Sequence, residues 1–270
     1  MFDPSHLRAS ELVGIVYLTY LSIIALLVRL PAARRVRVWS AAAFVVIVDL
    51  AIGTRDGWVV QQLRDWLPAP VILIAYFATG QFYVAPSAKV EAWLSGWDAR
   101  LIGTATFESL PRALRVYLDL VYDFCFLLIP AGFAALIWAG ASASADWFWT
   151  LVSLAEYGAF ATLPWVQARP PWAIEPPRAV DRTGIRRFSL VWINRVTIRA
   201  NTFPSGHASG SLAVALALMA AGPGLAIVFG VLAVSIAVGS VVGRFHYALD
   251  AITGLLLALL VWCSMIAFGS

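Results

Sequence analysis

The sequence predicts an all-α fold, a polytopic membrane bundle of about eight transmembrane helices. Of its 270 residues, 61% are hydrophobic and only 13% are charged, against about 25% charged residues in typical soluble domains. This combination excludes a soluble globular domain, and the high hydrophobicity also excludes a disordered chain. Both cysteines lie inside apolar runs, which argues against a disulfide framework. We therefore expect a multi-pass integral protein of the cell membrane, surrounded by lipid bilayer.

Eight apolar runs predict the membrane helices, since a helix needs about 20 mostly apolar residues to cross about 30 Å of hydrocarbon. They cover residues 12–30, 38–53, 70–85, 118–139, 147–168, 205–221, 225–242 and 247–268. A basic hinge of Arg34, Arg35 and Arg37 is expected between the first two. Residues 87–115 place Trp and Leu at helical spacing against charged residues, which predicts a helix lying in the membrane interface.

One long polar loop differs in kind from the rest of the chain. Residues 169–203 contain four prolines (Pro170, Pro171, Pro176, Pro177) and seven arginines (Arg169, Arg178, Arg182, Arg186, Arg187, Arg195, Arg199). A connection of this length between two helices more often has a function than serves only to join them. Arginine clusters beside apolar segments favour phosphate or lipid headgroups as partners, and they do not indicate a nucleic-acid surface.

The first candidate site is the segment Thr202-Phe203-Pro204-Ser205-Gly206-His207. Pro204 suits the first position of a helix, and Gly206 would let a ligand approach the backbone closely. The N–H groups and positive dipole of such a helix start, with the Ser205 hydroxyl, favour an anion such as phosphate. An ordinary capped helix start with a water-facing His207 is the alternative interpretation.

The second candidate site is the pair His246 and Asp250, with Arg244 close by in sequence. A spacing of four residues places both side chains on one helix face, where the carboxylate can orient the imidazole. A simple ion pair is the alternative. Since one helical hairpin separates the two sites, they should lie on the same side of the membrane. One histidine could then attack while the other protonates the leaving oxygen. Surrounding arginines make this a poor cation site, so neither a metal nor another cofactor is expected.

At these residues the chain resembles the type 2 phosphatidic acid phosphatase superfamily, whose fold is shared by vanadium haloperoxidases. Residues 204–207 match its Pro-Ser-Gly-His motif, and His246 with Asp250 matches the end of its third motif. The resemblance implies that His246 is the nucleophile, Asp250 orients it and His207 is the general acid, while Ser205 and Gly206 hold phosphate. It also implies a six-helix core at residues 69–270, to which the helices of residues 1–68 are added.

The chain departs from that pattern at its basic residues. The third motif usually has Arg six residues before its His, and this chain has Ser240 there. The first motif is a Lys, six further residues and then Arg-Pro; Arg169-Pro170 matches its end, but Thr162 stands in place of the Lys. Arg244, together with residues 97–103, is more similar to the inositol phosphorylceramide synthase branch. The candidates for phosphate binding are Arg244 and Arg169, with Arg195 and Arg199 as possible additions.

The resulting prediction is a metal-independent phosphatase that acts on a membrane lipid phosphate through a phosphohistidine. The same residues also suit a headgroup phosphotransferase, and a lipid-phosphate binding protein or an anion transporter are further alternatives. The lipid and the oligomeric state stay open. So does the orientation, because the positive-inside rule places the site in the cytoplasm, whereas the resemblance implies the opposite side.

Overall fold

The fold is an all-α bundle, as the composition predicts. The computed structural model describes residues 6–103, 109–175 and 184–268. Its helices are α1 (Ala9–Leu27), α2 (Ala32–Gly53), α3 (Trp58–Trp66), α4 (Pro68–Gly80), α5 (Ala88–Leu101), α6 (Arg112–Asp123), α7 (Cys125–Trp138), α8 (Ala145–Phe160), α9 (Gly184–Val196), α10 (Gly206–Ala217), α11 (Pro223–Val242) and α12 (Ala248–Phe268). Within these described ranges, the only extended pairing is an isolated antiparallel bridge between Ala168 and Asn201.

Four helices, α1, α2, α11 and α12, are long and apolar enough to cross a membrane. Helices α6 and α7 qualify as a fifth span if they are taken together, although the chain bends by 68° between them. The sequence predicted one continuous span at this place. The several apolar helices make this a membrane protein.

Three other predicted spans are shorter helices. Helices α4, α8 and α10 have 13, 16 and 12 residues, and at 1.5 Å per residue even 16 residues reach only about 24 Å. Helix α8, for example, ends at Phe160. Pro164 follows shortly after, and its ring disfavours helical backbone in the preceding residue. The predicted number of eight spans therefore exceeds the four or five spans that meet the length criterion among the described residues.

Three local predictions also differ from the structure. Arg34, Arg35 and Arg37 lie in the first turns of α2, so the break between the first two helices falls earlier, at residues 28–31. The short helix α3 was not predicted. Helix α9 lies inside the segment 169–203, for which the sequence predicts a loop. The interfacial helix is present as α5, which ends at Leu101.

Helix α8 forms the centre of the bundle. It packs against α10 and α12 on one side and against α1 and α4 on the other, and most of its residues are buried. The rings of Tyr17 in α1 and Tyr157 in α8 stack with centroids 4.5 Å apart. The N-terminal helices thus share a core with the helices that carry the candidate site, and the division at residue 68 stays a prediction.

Candidate functional site

The two sequence motifs meet where α10 and α12 begin. The backbone N–H of Ser205 donates to the carbonyl oxygen of Asp250 over 2.9 Å. Gly254, one turn further along α12, allows this approach, because a Cβ atom there would lie 2.5 Å from the Ser205 carbonyl oxygen. The start of α10, which carries His207, is therefore held directly against the start of α12.

His207 and His246 lie together, and Asp250 stands behind His246. The two imidazole centroids are 5.6 Å apart and the rings are nearly perpendicular. Nδ1 of His246 lies 3.5 Å from Oδ2 of Asp250, and that oxygen also accepts the N–H of Tyr247 at 2.9 Å. His246 precedes the first residue of α12, so it is the loop and not a shared helix face that brings it to Asp250.

The contact between His246 and Asp250 is at the outer limit of a hydrogen bond. Among the described residues, Nδ1 of His246 and Oδ1 of Asp250 are buried without a hydrogen-bond partner. Hydrogen bonds of catalytic groups are often long in unliganded sites and shorten once substrate is bound. The pair is thus placed to orient the imidazole through Nδ1, which leaves Nε2 for chemistry.

Ser205 caps α10 and is fully buried. Its hydroxyl accepts the N–H of Ala208, so Pro204 lies before the cap and not at the first helical position. A Cβ atom on Gly206 would lie 2.6 Å from the Phe160 ring and 3.0 Å from a Glu156 carboxylate oxygen. This glycine is therefore required for packing of α10 on α8, a role that the sequence analysis did not assign.

A cavity opens in front of the two histidines. Its empty volume is about 450 Å³, including the space at its mouth. The described residues that line it are Tyr76, Tyr122, Phe160, Pro170, Trp172, Ile193, Thr197, Arg199, Ala200, Thr202, Gly206, His207, Phe245 and His246. The lining combines aromatic side chains with the polar groups of two histidines, two threonines and one arginine.

Among the arginines predicted to bind phosphate, Arg199 lines this cavity. Its backbone is in the left-handed region, with φ of 57°, and its Nε donates to the carbonyl oxygen of Asn194 at 3.0 Å. A non-glycine residue in this region is strained and is held there only by its surroundings. Arg195 instead lies on the exposed face of α9.

Arg244, the leading candidate for phosphate binding, is bound by two carboxylates. It donates to Asp98 at 2.5 Å and to Glu175 through Nε at 2.9 Å. Burial works to lower the pKa of Arg244, but the hydrogen bonds with Glu175 and Asp98 outweigh it and raise that pKa. Asp98 also accepts the N–H of Ala248, the first residue of α12. In this structure Arg244 thus joins α5 to the start of α12.

Arg169 is likewise paired away from the cavity. Its Nε and Nη2 each donate to the Glu91 carboxylate at 2.9 Å, and its side chain is 45% exposed. Thr162, which replaces the first-motif Lys, donates to the carbonyl oxygen of Phe203, just before the Pro-Ser-Gly-His segment. The first-motif region therefore supports the loop before α10.

Sequence reasoning missed Arg186, which lies in α9 and is buried against the loop that carries His246. The signal for it was the spacing of Arg186, Ser189 and Ile193, which places them on one helix face. Pro176, Pro177, Arg178 and Arg182 of the predicted loop lie outside the described residues.

Comparison with known proteins identifies the region that carries the site. A family model described as the PAP2 superfamily matches residues 88–264, which include α5 to α11 and most of α12. Helices α1 to α4 precede the matched region. No curated protein and no solved structure matches the chain.

Proposed function

The chain belongs to the PAP2 superfamily, and from that premise we propose that it is an integral membrane lipid phosphate phosphatase of the cell membrane, working without a metal. Membership in the superfamily supports a phosphatase or phosphotransferase type of function in general. The observation that carries the finer proposal is the meeting of His207, His246 and Arg199 in one cavity, with Asp250 behind His246.

In the first step, Nε2 of His246 attacks the phosphorus atom of the lipid phosphate. A P–N bond forms while the bond from phosphorus to the lipid oxygen breaks, and His207 gives its proton to that leaving oxygen. Asp250 stabilises the positive charge that develops on the His246 ring. Arg199 and the start of α10 at Gly206 offset the negative charge on the phosphoryl oxygens, an electrostatic effect that usually dominates phosphoryl transfer.

In the second step, a water molecule attacks the phosphohistidine. His207, now neutral, accepts a proton from the water, the P–N bond breaks, and inorganic phosphate leaves. His246 and His207 are then ready for another turnover. The aromatic walls of the cavity exclude other water molecules from the reacting group, which strengthens these charge interactions.

A phosphotransferase is the second candidate, in which a lipid alcohol replaces water in the second step. One contact favours it. Arg244 and the stretch 97–103 both resemble the inositol phosphorylceramide synthase branch, and Arg244 donates to Asp98 of that stretch.

The test uses the purified full chain in detergent micelles with EDTA. It is given phosphatidate, phosphatidylglycerol phosphate or a polyprenyl diphosphate, each with and without ceramide or diacylglycerol, and inositol phospholipid as a headgroup donor. Phosphate release that disappears in His246→Ala but persists in His6→Ala would support the phosphatase. A new phospholipid formed only with an acceptor would support the transferase.

Absence of both products would contradict the two enzymatic proposals and favour a lipid-phosphate binding protein or an anion transporter. Rapid quenching into alkaline detergent with ³²P-labelled substrate examines the intermediate directly. We expect label on the protein that is stable to base and labile to acid, as a phosphohistidine is, and that is absent in His246→Ala. Turnover without such label would contradict covalent catalysis by His246.

A further inference from the structure

Arg186 is a buried cation outside the cavity lining, and it contacts two separate elements. It lies in α9 and is 3% exposed. Its Nη1 donates to the Asp119 carboxylate of α6 at 3.1 Å, and its Nη2 donates to the carbonyl oxygen of Gly243. Gly243 lies only three residues before His246. The guanidinium therefore ties the loop of the proposed nucleophile to the helix pair α6 and α9.

The same guanidinium also covers an aromatic ring. Its Cζ lies 4.4 Å from the centroid of Phe245, the residue immediately before His246. Phe245 stacks on Tyr122, with centroids 4.3 Å apart and an interplanar angle of 6°. Tyr122 in turn meets the ring of His207 edge to face at 5.5 Å. A continuous set of contacts thus leads from Arg186 to both histidines.

The loop between α11 and α12 requires such support. Arg244 has φ of 63°, in the left-handed region, which a non-glycine residue occupies only when its surroundings determine it. Arg186 holds the carbonyl of Gly243 before it, and Trp172 N–H donates to the carbonyl of Arg244 itself at 2.9 Å. These bonds fix the direction in which the chain leaves Arg244 and enters His246.

We propose that Arg186 is a positioning residue, which sets the angle between the His246 and His207 rings through Gly243, Phe245 and Tyr122. This inference rests on the proposed function, in which both rings must meet one phosphoryl group. Displacement of a reacting group by about 1 Å can slow a reaction about 100-fold. A residue that acts only on this geometry should change kcat and leave substrate binding nearly unaltered.

The experiment compares Arg186→Ala and Arg186→Lys with Arg187→Ala, whose side chain is exposed on the neighbouring face of α9. In mixed micelles we expect Arg186→Ala to lower kcat about 100-fold with little change in apparent KM. Lys keeps the charge beside Asp119 but lacks the planar fork needed for Gly243 and Phe245 together, so its kcat should also fall. Arg187→Ala should resemble the wild type.

Folding of each variant is checked by gel filtration and thermal unfolding. If Arg186→Ala does not fold, the Lys variant, which keeps the charge beside Asp119, provides the comparison. Folded variants with the wild-type kcat would overturn the proposal. An increased KM with unchanged kcat would also overturn it, because Arg186 would then act in substrate binding.

A second readout needs no turnover. The rate at which diethyl pyrocarbonate modifies His246, followed by peptide mass spectrometry, reports the exposure and orientation of its ring. We expect the modification rate of His246 to change in Arg186→Lys and to stay the same in Arg187→Ala. A rate in Arg186→Lys equal to that of the wild type would count against the positioning role. If the wild type acts on none of the lipids but this rate still depends on Arg186, the proposed function fails and the positioning of His246 stands.

Discussion

The imidazole of His207 meets the imidazole of His246 nearly at a right angle, with ring centroids 5.6 Å apart. His207 belongs to α10 and His246 to the loop before α12, yet both line one cavity. The proposed reaction requires a phosphoryl group in that cavity to contact both rings, so that one ring can attack and the other can protonate the leaving oxygen.

We expect the effect of His207→Ala to depend on the leaving group. Loss of a general acid typically slows a reaction about 10²- to 10⁴-fold, so turnover of a lipid phosphate should fall by that factor. A nitrophenyl phosphate ester leaves without protonation, and its turnover should fall much less. His246→Ala should abolish both reactions. If His207→Ala slowed turnover of the two substrates by the same factor, relative to the wild type, the role of His207 as the acid would be contradicted.

We expect Arg199→Ala to weaken phosphate binding in the cavity. A hydrogen bond to a charged group contributes about 1.5–3 kcal/mol, so kcat/KM should fall about 10- to 100-fold. The matched control is Arg187→Ala, an exposed arginine of α9 outside the cavity lining. Both variants should unfold at the wild-type temperature. Equal kcat/KM values for the two variants would show that Arg199 does not bind the substrate.

The two carboxylates around Arg244 should differ in their effect on stability. Asp98 is buried and also accepts the N–H of Ala248, so Asp98→Ala leaves Arg244 incompletely paired and should cost about 3–5 kcal/mol. The Glu175 side chain is 36% exposed, and Glu175→Ala should cost about 0–1 kcal/mol, as exposed pairs do. Thermal unfolding in one detergent compares them, and a larger effect of Glu175→Ala would contradict this assignment.

Stability should fall in acid through the pair formed by Glu91 and Arg169. The hydrogen bonds and charge of Arg169 lower the pKa of Glu91 below its ordinary value of 4.5. A carboxylate with a lowered pKa in the folded state stabilises the protein above the unfolded-state pKa, and this stabilisation is lost as the pH falls through the lower, folded-state pKa. The unfolding temperature of the wild type should therefore drop below about pH 4.5.

Glu91→Gln removes this titrating group and serves as the comparison. We expect its unfolding temperature to be lower than that of the wild type at neutral pH, and the difference between the two proteins to shrink as the pH falls below 4.5. A difference that is constant between pH 3 and pH 7 would contradict the contribution of this pair.

Local patterns in the sequence predicted the helices well where they were long and apolar. Residues 225–242 and 247–268 correspond closely to α11 and α12, and the all-α membrane class is confirmed. The sequence did not predict the break within 118–139, because hydropathy does not report a change of helix direction. It did not predict α9 either, because hydropathy does not identify a polar helix face that is buried through ion pairs. Arg186, which pairs with Asp119, belongs to such a face.

The sequence by itself determined the residue types of the chemistry: a Pro-Ser-Gly-His segment, a His and an Asp four residues apart, and arginines around them, in a chain apolar enough for a membrane. Only the tertiary structure decided which of these arginines lines the cavity with the two histidines. Arg199 is among the residues that line the cavity, whereas Asp98 and Glu175 bind Arg244 and Glu91 binds Arg169. The physical reason is that a guanidinium pairs with the nearest carboxylate in space, and these carboxylates come from distant segments that only the packing of the helices brings together.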